Sequence, residues 1–165
     1  MNLWKNWCRY QLAVWEWLSN DYSRMKNKQL VLLKLGGSLI TDKNKPFSAR
    51  REVIIRLGKE IKLAMSKFAG KLIIAHGSGS FGHSVAEKYK VAEGMGKKES
   101  WRGLPLVADA AIRINRIVME DLLKVGLPVI SFAPSSLIIA NNQQPADNFA
   151  EPISQSLKWG LIPVL

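Results

Sequence analysis

The sequence lacks several features that mark common classes of protein. Its 165 residues include one cysteine, so no disulfide can form within the chain and a disulfide-stapled secreted scaffold is excluded. No run of about 18 apolar residues occurs, so no candidate membrane-spanning helix is visible. Internal repeats and low-complexity stretches are also missing. With 47% apolar residues, the chain is too apolar for a disordered protein, and its length predicts one domain with a real core.

Acidic residues are scarce as well. Asp and Glu total 13 against 24 Lys and Arg, which gives a formal net charge of +11 and points to nucleic acid as a partner. The distribution argues against that partner, because residues 1–100 hold the whole excess while residues 101–165 hold five basic and five acidic residues. The basic residues also lack interleaved aromatics. A specific nucleic-acid partner is not expected, and a non-enzymatic basic module for nucleic acid or an acidic membrane surface stays an alternative.

The first 25 residues differ in composition from the remainder. Four of the six tryptophans lie here, and Trp4, Trp7 and Trp15 fall roughly on one helical face. This pattern predicts an amphipathic helix that lies on a membrane surface or docks on a protein. A third interpretation is that the segment is not native, because Met25 stands directly before a strong strand pattern and would itself serve as the start. Nothing in the segment resembles a cleavable signal peptide.

The remaining part, residues 26–165, reads as strands alternating with helices. The predicted strands lie at residues 30–35, 71–75, 128–132, 137–140 and 161–165, and the predicted helices at 50–68, 80–89, 103–125 and 149–159. The third of these helices is expected to bury Leu106, Ile112, Ile117, Met119, Leu122 and Leu123. Such alternation predicts an α/β fold, a three-layer αβα sandwich with a mainly parallel sheet.

The chain ends in an apolar run at residues 161–165. A protein terminus is more often polar and frayed, and the unequal charge of the two halves points the same way. We therefore expect the chain to be the first part of a longer protein, with a truncated fold.

Two glycine-rich segments follow two of the predicted strands, at residues 36–38 and 77–82. Glycine lets backbone N–H groups surround an anion, and a following helix N-terminus adds its dipole. Ligands of open α/β sheets bind at the carboxyl ends of strands. Each loop alone is equally well explained by a tight turn. Both loops together, with Lys34, Lys43 and His83 close by, predict a phosphate-binding site.

The second loop also matches two nucleotide-binding patterns, but only in part. A dinucleotide site needs an acidic residue at the end of a strand about 20 residues later. Glu93 and Glu99 stand at that distance, but no strand-like run precedes them. In the P-loop pattern, His83 takes the place of the lysine that contacts the phosphates. Both patterns are therefore rejected.

Several motifs resemble one known family. Residues 33–38 (Leu-Lys-Leu-Gly-Gly-Ser), followed by Thr-Asp-Lys at 41–43, resemble the opening of amino acid kinase family proteins. The segment His-Gly-Ser-Gly-Ser-Phe-Gly-His at 76–83 narrows the resemblance to the isopentenyl phosphate kinases within that family. Residues 134–136 and 159–164 resemble later segments of the same proteins. The resemblance covers nearly all of the chain outside the N-terminal segment.

The resemblance implies ATP-dependent phosphorylation of isopentenyl phosphate to isopentenyl diphosphate, with Mg²⁺ arriving mainly with the ATP and no metal ligands from the protein. The implied catalytic residues are Lys34, Lys43 and His83. The implied ATP site consists of Lys34, Gly36, Gly37, Ser38 and Gly79, and the implied substrate site of Ser78, Gly79 and His83. A cytoplasmic homodimer is implied for the complete protein. Another kinase of the same fold, of the fosfomycin or amino-acid type, is the alternative enzyme.

The resemblance also carries two departures. Ser78 stands where the family often has a glycine, which a serine can replace if its φ stays negative. The second half of such kinases supplies the nucleotide-base pocket, so this chain alone is not expected to be active. His76, at the end of a predicted strand, is expected to be structural.

Overall fold

A computed structural model describes residues 29–91, 98–141 and 144–165, and the predictions for residues 1–25 lie outside this part of the chain. In chain order the elements are β1 (Leu30–Leu35), α1 (Gly37–Ile40), α2 (Arg51–Met65), β2 (Lys71–His76), α3 (Gly79–Lys88), α4 (Lys98–Lys124), β3 (Val129–Ser131), a 3₁₀ turn (Pro134–Ser136), β4 (Ile138–Asn141), β5 (Gln144–Asn148), α5 (Glu151–Lys158) and β6 (Ile162–Val164).

Four of the strands form a parallel sheet in the order β1-β2-β6-β3. β1 and β2 pair along their full length, from Leu30 opposite Lys71 to Leu35 opposite His76. Because the strands are parallel, their carboxyl ends, and the loops that follow them, lie at one edge of the sheet. The predicted parallel α/β sheet is confirmed.

Helices cover both faces of this sheet. Successive residues of β2 point to opposite faces, so Leu72 and Ile74 belong to a core shared with α2 and α4, while Ile73 and Ala75 belong to a second core. The second core includes Ile153 and residues of the 3₁₀ turn region. The three-layer αβα arrangement is therefore confirmed as well.

The prediction for the long helix needs two corrections. α4 begins at Lys98, ahead of the predicted start at residue 103, and carries Pro105 inside it. Leu106, Ile112 and Leu123 were expected in the core, but they are 45%, 57% and 53% exposed. Met119 and Leu122 are buried as predicted. The stripe that the helix turns toward the sheet consists of apolar residues spaced four apart: Ala110, Ile114, Val118 and Leu122. None of the helices in the described ranges combines the length and hydropathy that a membrane span requires.

Three short elements were absent from the prediction: α1, the 3₁₀ turn and β5. β5 pairs antiparallel with β4 in a separate two-stranded sheet. Its sequence, Gln-Pro-Ala-Asp-Asn, is typical of a loop, because Pro, Asp and Asn are all disfavoured in strands. α1 is a single turn that begins within the first glycine segment, where the pattern indicates only a change of direction.

An ion pair fixes the start of α2 against α4. The carboxylate of Asp121 is fully buried, and its Oδ1 accepts a hydrogen bond from Nη2 of Arg51 at 2.7 Å. Nε of Arg51 also donates to Asp121 at 3.1 Å, and Nη2 pairs with Glu120 at 2.8 Å. Because Arg51 directly follows the loop of residues 41–50, this pair also anchors one end of that loop.

Candidate active site

The two glycine loops lie side by side at the carboxyl edge of the sheet. The N–H of Gly77 donates to the carbonyl of Leu35 at 3.0 Å, which joins the start of the second loop to the end of β1. A Cβ added to Gly37 would lie 2.6 Å from the nitrogen of Gly79, and one added to Gly77 would lie 2.7 Å from the nitrogen of Gly37. The two backbones therefore touch at a distance that leaves no room for a side chain.

Thr41 links the same two loops through its hydroxyl, which is completely buried. The hydroxyl donates to the carbonyl of Gly37 at 2.6 Å and accepts from the N–H of Ser80 at 3.0 Å. It also fills the space that a side chain on Gly79 would need, and Gly79 has a φ of +48°. Sequence reasoning missed this role. The available signal was a small hydroxyl residue three positions after the first glycine segment.

The backbone N–H groups at the start of α3, where Gly79 is buried, differ in whether they have an acceptor. The N–H of Ser80 is taken by Thr41, and that of Phe81 donates to the carbonyl of Ser78 at 3.0 Å. The N–H groups of Ser78 and Gly79 have no acceptor among the described residues, as expected at a helix start. Ser78 has a φ of −77°, so the serine is accommodated as predicted. Such a start attracts anions.

The first loop is less constrained on either side of Gly37. Gly36 has a φ of −60° and open space where a Cβ would lie, so sterics alone do not require glycine there. Ser38 is exposed on α1. Lys34 is exposed near the end of β1, on the sheet face opposite to that of Leu35.

Two further candidate site residues are near enough for the charge of one to affect the other. Lys43 lies in the loop of residues 41–50 and His83 in the first turns of α3, and both are exposed. Although His83 is exposed, the part of its ring that is shielded from water lowers its pKa, the charge of Lys43 lowers it further, and Glu87 opposes the shift. Both causes favour the neutral form of the imidazole. A phosphate placed between Lys43 and His83 would reverse this effect, because an anion favours the charged form of histidine.

Aromatic contacts hold the loop that carries Lys43 against α3. The rings of Phe47 and Phe81 meet edge to face with centroids 5.5 Å apart, and the guanidinium of Arg113 lies 4.7 Å from the centroid of Phe47. The N–H of Phe47 also donates to the carbonyl of Ser80 at 3.4 Å. Sequence reasoning did not single out Phe47 or Arg113, because their partners are distant in the chain.

His76 lies beneath the second loop and is 5% exposed. Its Nδ1 is 3.3 Å from the carbonyl of Gly77, and its Nε2 is 3.0 Å from the amide nitrogen of Asn115. Burial lowers the pKa of His76, and the bond to Gly77 opposes this shift only in part. The imidazole is therefore a neutral part of the support of the site and does not line its surface.

No cluster of three or more His, Cys, Asp or Glu side chains within residues 29–91, 98–141 and 144–165 could hold a metal ion. The described part of the site consists of backbone N–H groups, two lysines and a histidine. These groups suit anionic oxygens, and phosphate above all.

The sequence of the chain is similar to those of known proteins. Residues 29–165 match the Amino acid kinase family. A relative from Methanocaldococcus jannaschii, named isopentenyl phosphate kinase, is 37% identical over 144 residues, which cover 82% of this chain and 54% of the relative. A relative of the same name from Methanothermobacter thermautotrophicus is 33% identical over 141 residues, which cover 82% of this chain and 52% of the relative.

Solved structures agree with these matches. A crystal structure of an isopentenyl phosphate kinase superposes with a TM-score of 0.74 at 32% identity and covers 83% of this chain and 57% of that chain. An isopentenyl phosphate kinase substrate complex superposes with a TM-score of 0.69 at 26% identity, covering 84% and 53% of the two chains. The chain thus spans about half the length of the curated relatives it matches. Since the family match extends over every described residue, the chain belongs to the amino acid kinase family.

Proposed function

We propose that this chain carries the phosphate-binding part of a kinase that transfers the γ-phosphoryl group of ATP to isopentenyl phosphate. The observation that carries the proposal is the backbone contact between Gly37 and the Gly77–Gly79 loop, which brings the two glycine loops together. Two phosphorylated molecules must meet in such a reaction. The names of the matched relatives support isopentenyl phosphate as the acceptor.

In this proposal the first loop binds the phosphates of ATP. Lys34 and the backbone N–H groups of Gly36, Gly37 and Ser38 neutralise and orient the phosphate chain. Gly79 contributes its N–H from the second loop, because its nitrogen lies against Gly37. Orientation and charge neutralisation are what phosphoryl transfer chiefly requires, since the enzyme makes no covalent bond to the phosphoryl group.

The second loop binds the acceptor in the same proposal. Ser78 donates its N–H to the acceptor phosphate, the N–H of Gly79 lies between the two substrates and is shared by their phosphates, and His83 donates a ring N–H to the acceptor. An oxygen of that phosphate is already anionic, so it attacks the γ-phosphorus without a general base. The new P–O bond forms as the bond between the γ-phosphorus and the bridging oxygen to the β-phosphate breaks, and ADP leaves. Lys43, near His83, stabilises the charge on the phosphoryl group in transit.

Mg²⁺ fits this part of the site only as a companion of ATP. Because the described side chains form no metal cluster, the phosphate oxygens of the nucleotide would supply most of its ligands. When bound, Mg²⁺ would neutralise charge on the phosphates. The cytoplasmic location and the homodimer are proposed on the family resemblance alone.

Binding and transfer experiments test the proposal in two steps. Isothermal titration calorimetry on this chain should detect a non-hydrolysable ATP analogue and isopentenyl phosphate, and His83→Ala should weaken the binding of isopentenyl phosphate. Transfer of ³²P from ATP is then assayed on the complete product of the gene that encodes the chain. The relative from M. jannaschii serves as the positive control.

The alternatives predict different results in the same assays. Transfer to fosfomycin or to an amino acid, with none to isopentenyl phosphate, would show that the acceptor is wrong while the kinase class stands. Tight binding of a specific nucleic acid at physiological salt, without binding of nucleotide, would favour the basic binding module instead.

A further inference from the structure

A chain of hydrogen bonds runs from the second glycine loop to the end of β3. The Nδ1 atom of His76 contacts the carbonyl of Gly77 at 3.3 Å, and Nε2 contacts the amide nitrogen of Asn115 at 3.0 Å. The hydroxyl of Ser131 then donates to the amide oxygen of Asn115 at 2.6 Å. Three elements, β2, α4 and β3, are connected in this way directly under the loop.

The carbonyl of Gly77 determines the direction of every bond in the chain. A carbonyl oxygen can only accept, so Nδ1 of His76 must carry a proton. In a neutral imidazole, Nε2 is then the acceptor and Asn115 donates to it through its NH₂ group. The amide oxygen of Asn115 is left to accept from Ser131, as observed. One tautomer of His76 is therefore consistent with all three contacts.

The same bond also orients the peptide group between Gly77 and Ser78. No cis peptide bond occurs among the described residues, so the carbonyl of Gly77 and the N–H of Ser78 point in opposite directions across one plane. With the carbonyl bonded to the buried imidazole, the N–H points away from it. This N–H has no acceptor in the described part of the protein.

We propose that His76 is a positioning residue, which holds the Gly77–Ser78 peptide so that the N–H of Ser78 faces the acceptor phosphate. Asn115 is its second component, because it fixes both the tautomer and the ring plane. This inference deepens the proposed function and rests on it for the identity of the ligand. The orientation of the peptide group, by contrast, follows from the contacts of His76 alone.

The surroundings of His76 give the ring little freedom to adopt another orientation. The residue is 5% exposed, and its backbone N–H donates to the carbonyl of Leu165 at 2.9 Å. Leu35 on β1 lies opposite His76 in the sheet. Among the described residues, no charged side chain contacts the ring. Neither of the partners of the ring, Gly77 and Asn115, titrates, so the arrangement stays intact over the pH range in which His76 is neutral.

Two substitutions separate the two bonds of the ring. The amide nitrogen of His76→Asn lies where Nδ1 lies and can donate to Gly77, but it cannot reach Asn115. The amide of His76→Gln lies near the position of Nε2 and can bond to Asn115, but it leaves the carbonyl of Gly77 without a donor. We expect His76→Asn to keep affinity for isopentenyl phosphate within about threefold and His76→Gln to lose about tenfold or more, the worth of one hydrogen bond to a charged group.

The tautomer can be measured without any ligand. The chain has only two histidines, so two-bond ¹H–¹⁵N spectra resolve both rings, and His76→Asn assigns them. We expect His76 to carry its proton on Nδ1. Asn115→Leu should admit the Nε2–H form, and Asn115→Asp should drive the ring toward the doubly protonated form. Ser131→Ala, at the outer end of the chain, tests the same effect in a milder variant that is expected to fold.

The outcomes are distinguishable. An Nε2–H tautomer in the unsubstituted chain, or equal loss of binding in His76→Asn and His76→Gln with both folded by circular dichroism, would overturn the inference. If the unsubstituted chain binds neither ATP nor isopentenyl phosphate, the proposed function fails. The residual dipolar coupling of the Ser78 N–H then still decides the inference, because only His76→Gln should change it.

Discussion

The hydroxyl of Thr41 holds the N–H of Ser80 at 3.0 Å, across 39 residues of sequence. The same oxygen donates to the carbonyl of Gly37 at 2.6 Å. The buried hydroxyl of Thr41 therefore sets the distance between the first glycine loop and the start of α3. Because the two loops are proposed to bind two different phosphates, this distance also sets how closely donor and acceptor can approach.

Thr41→Val should loosen this connection at constant volume. The carbonyl of Gly37 keeps the backbone N–H of Thr41 as a donor at 3.0 Å, but the N–H of Ser80 loses its acceptor. A buried unsatisfied N–H costs about 1–3 kcal/mol. We expect a loss of that size in the free energy of unfolding by urea and weaker binding of the ATP analogue. Thr41→Ser keeps the hydroxyl and is the matched control; a loss as large in Thr41→Ser would contradict the role assigned to the hydroxyl.

Two adjacent glycines should respond oppositely to alanine. In Gly37→Ala the new Cβ would lie 2.6 Å from the backbone of Gly79, whereas in Gly36→Ala it meets nothing within 4 Å. Backbone cannot yield as a side chain can, so we expect Gly37→Ala to lose about 2 kcal/mol or more of stability, in the range of overpacked cores. Gly36→Ala should be neutral or slightly stabilising, since its φ of −60° suits alanine. Thermal unfolding of both variants checks this, and equal effects would show that the loops are not in contact.

Lys43 and Lys45, in the same loop, should differ in their effect on the pKa of His83 and on the binding of isopentenyl phosphate. The charge of Lys43 lowers the pKa of His83, and no such effect comes from Lys45. We expect Lys43→Met to raise the pKa of His83, measured by NMR titration of the ring, and to weaken isopentenyl phosphate binding by about tenfold. Lys45→Met, an exposed control with the same loss of charge, should change neither quantity. If both variants act equally, only the net charge of the loop matters.

Much of the fold could be predicted from the sequence because it depends on local patterns. The apolar runs of β1 and β2, and the glycines that follow them, locate the carboxyl edge of the sheet without reference to anything distant. The same reasoning failed on Ile112 and Leu123, because an apolar residue on a long helix does not reveal which stripe meets the sheet. β5 was missed because its pairing with β4 overrides a loop-like composition.

The contacts that organise the site could not be predicted from the sequence, because they join residues that are distant in the chain. Thr41 bonds to Ser80, Asn115 to His76 and Arg113 to Phe47, and each pair is separated by at least 39 residues. Residue type indicates that such side chains can bond, but only the packing of α3 and α4 against the sheet selects the partner. The roles of Lys34, Lys43 and His83 in the reaction stay predictions for the same chain.

Removing one partner of the ion pair between Arg51 and Asp121 should lower the free energy of unfolding more than removing both partners. Arg51→Met leaves a carboxylate of 0% exposure whose one remaining cationic partner among the described residues is Lys124, at 3.6 Å. Removing one partner of a buried pair leaves an uncompensated charge, so we expect a clear loss of stability, smaller than for a fully buried pair because the side chain of Arg51 is 42% exposed. The double variant Arg51→Met/Asp121→Leu should recover part of that loss in a urea double-mutant cycle. No recovery would mean that Arg51 acts through packing alone.

Acid should destabilise the protein through His76. Burial lowers the pKa of His76 in the folded state below its ordinary value of 6.5, so the unfolded chain binds more protons as the pH falls. The contribution of His76 is fully present above pH 6.5 and is lost progressively below it, at up to about 1.4 kcal/mol per pH unit until the folded-state pKa is reached. Urea unfolding at pH 7.5, 6.5 and 5.5 should show this decline.

His76→Asn cannot titrate, so its stability should fall less over the same interval. His83→Gln, at the exposed histidine, should follow the unsubstituted chain more closely. A decline in His76→Asn equal to that of the unsubstituted chain would assign the acid sensitivity to other groups.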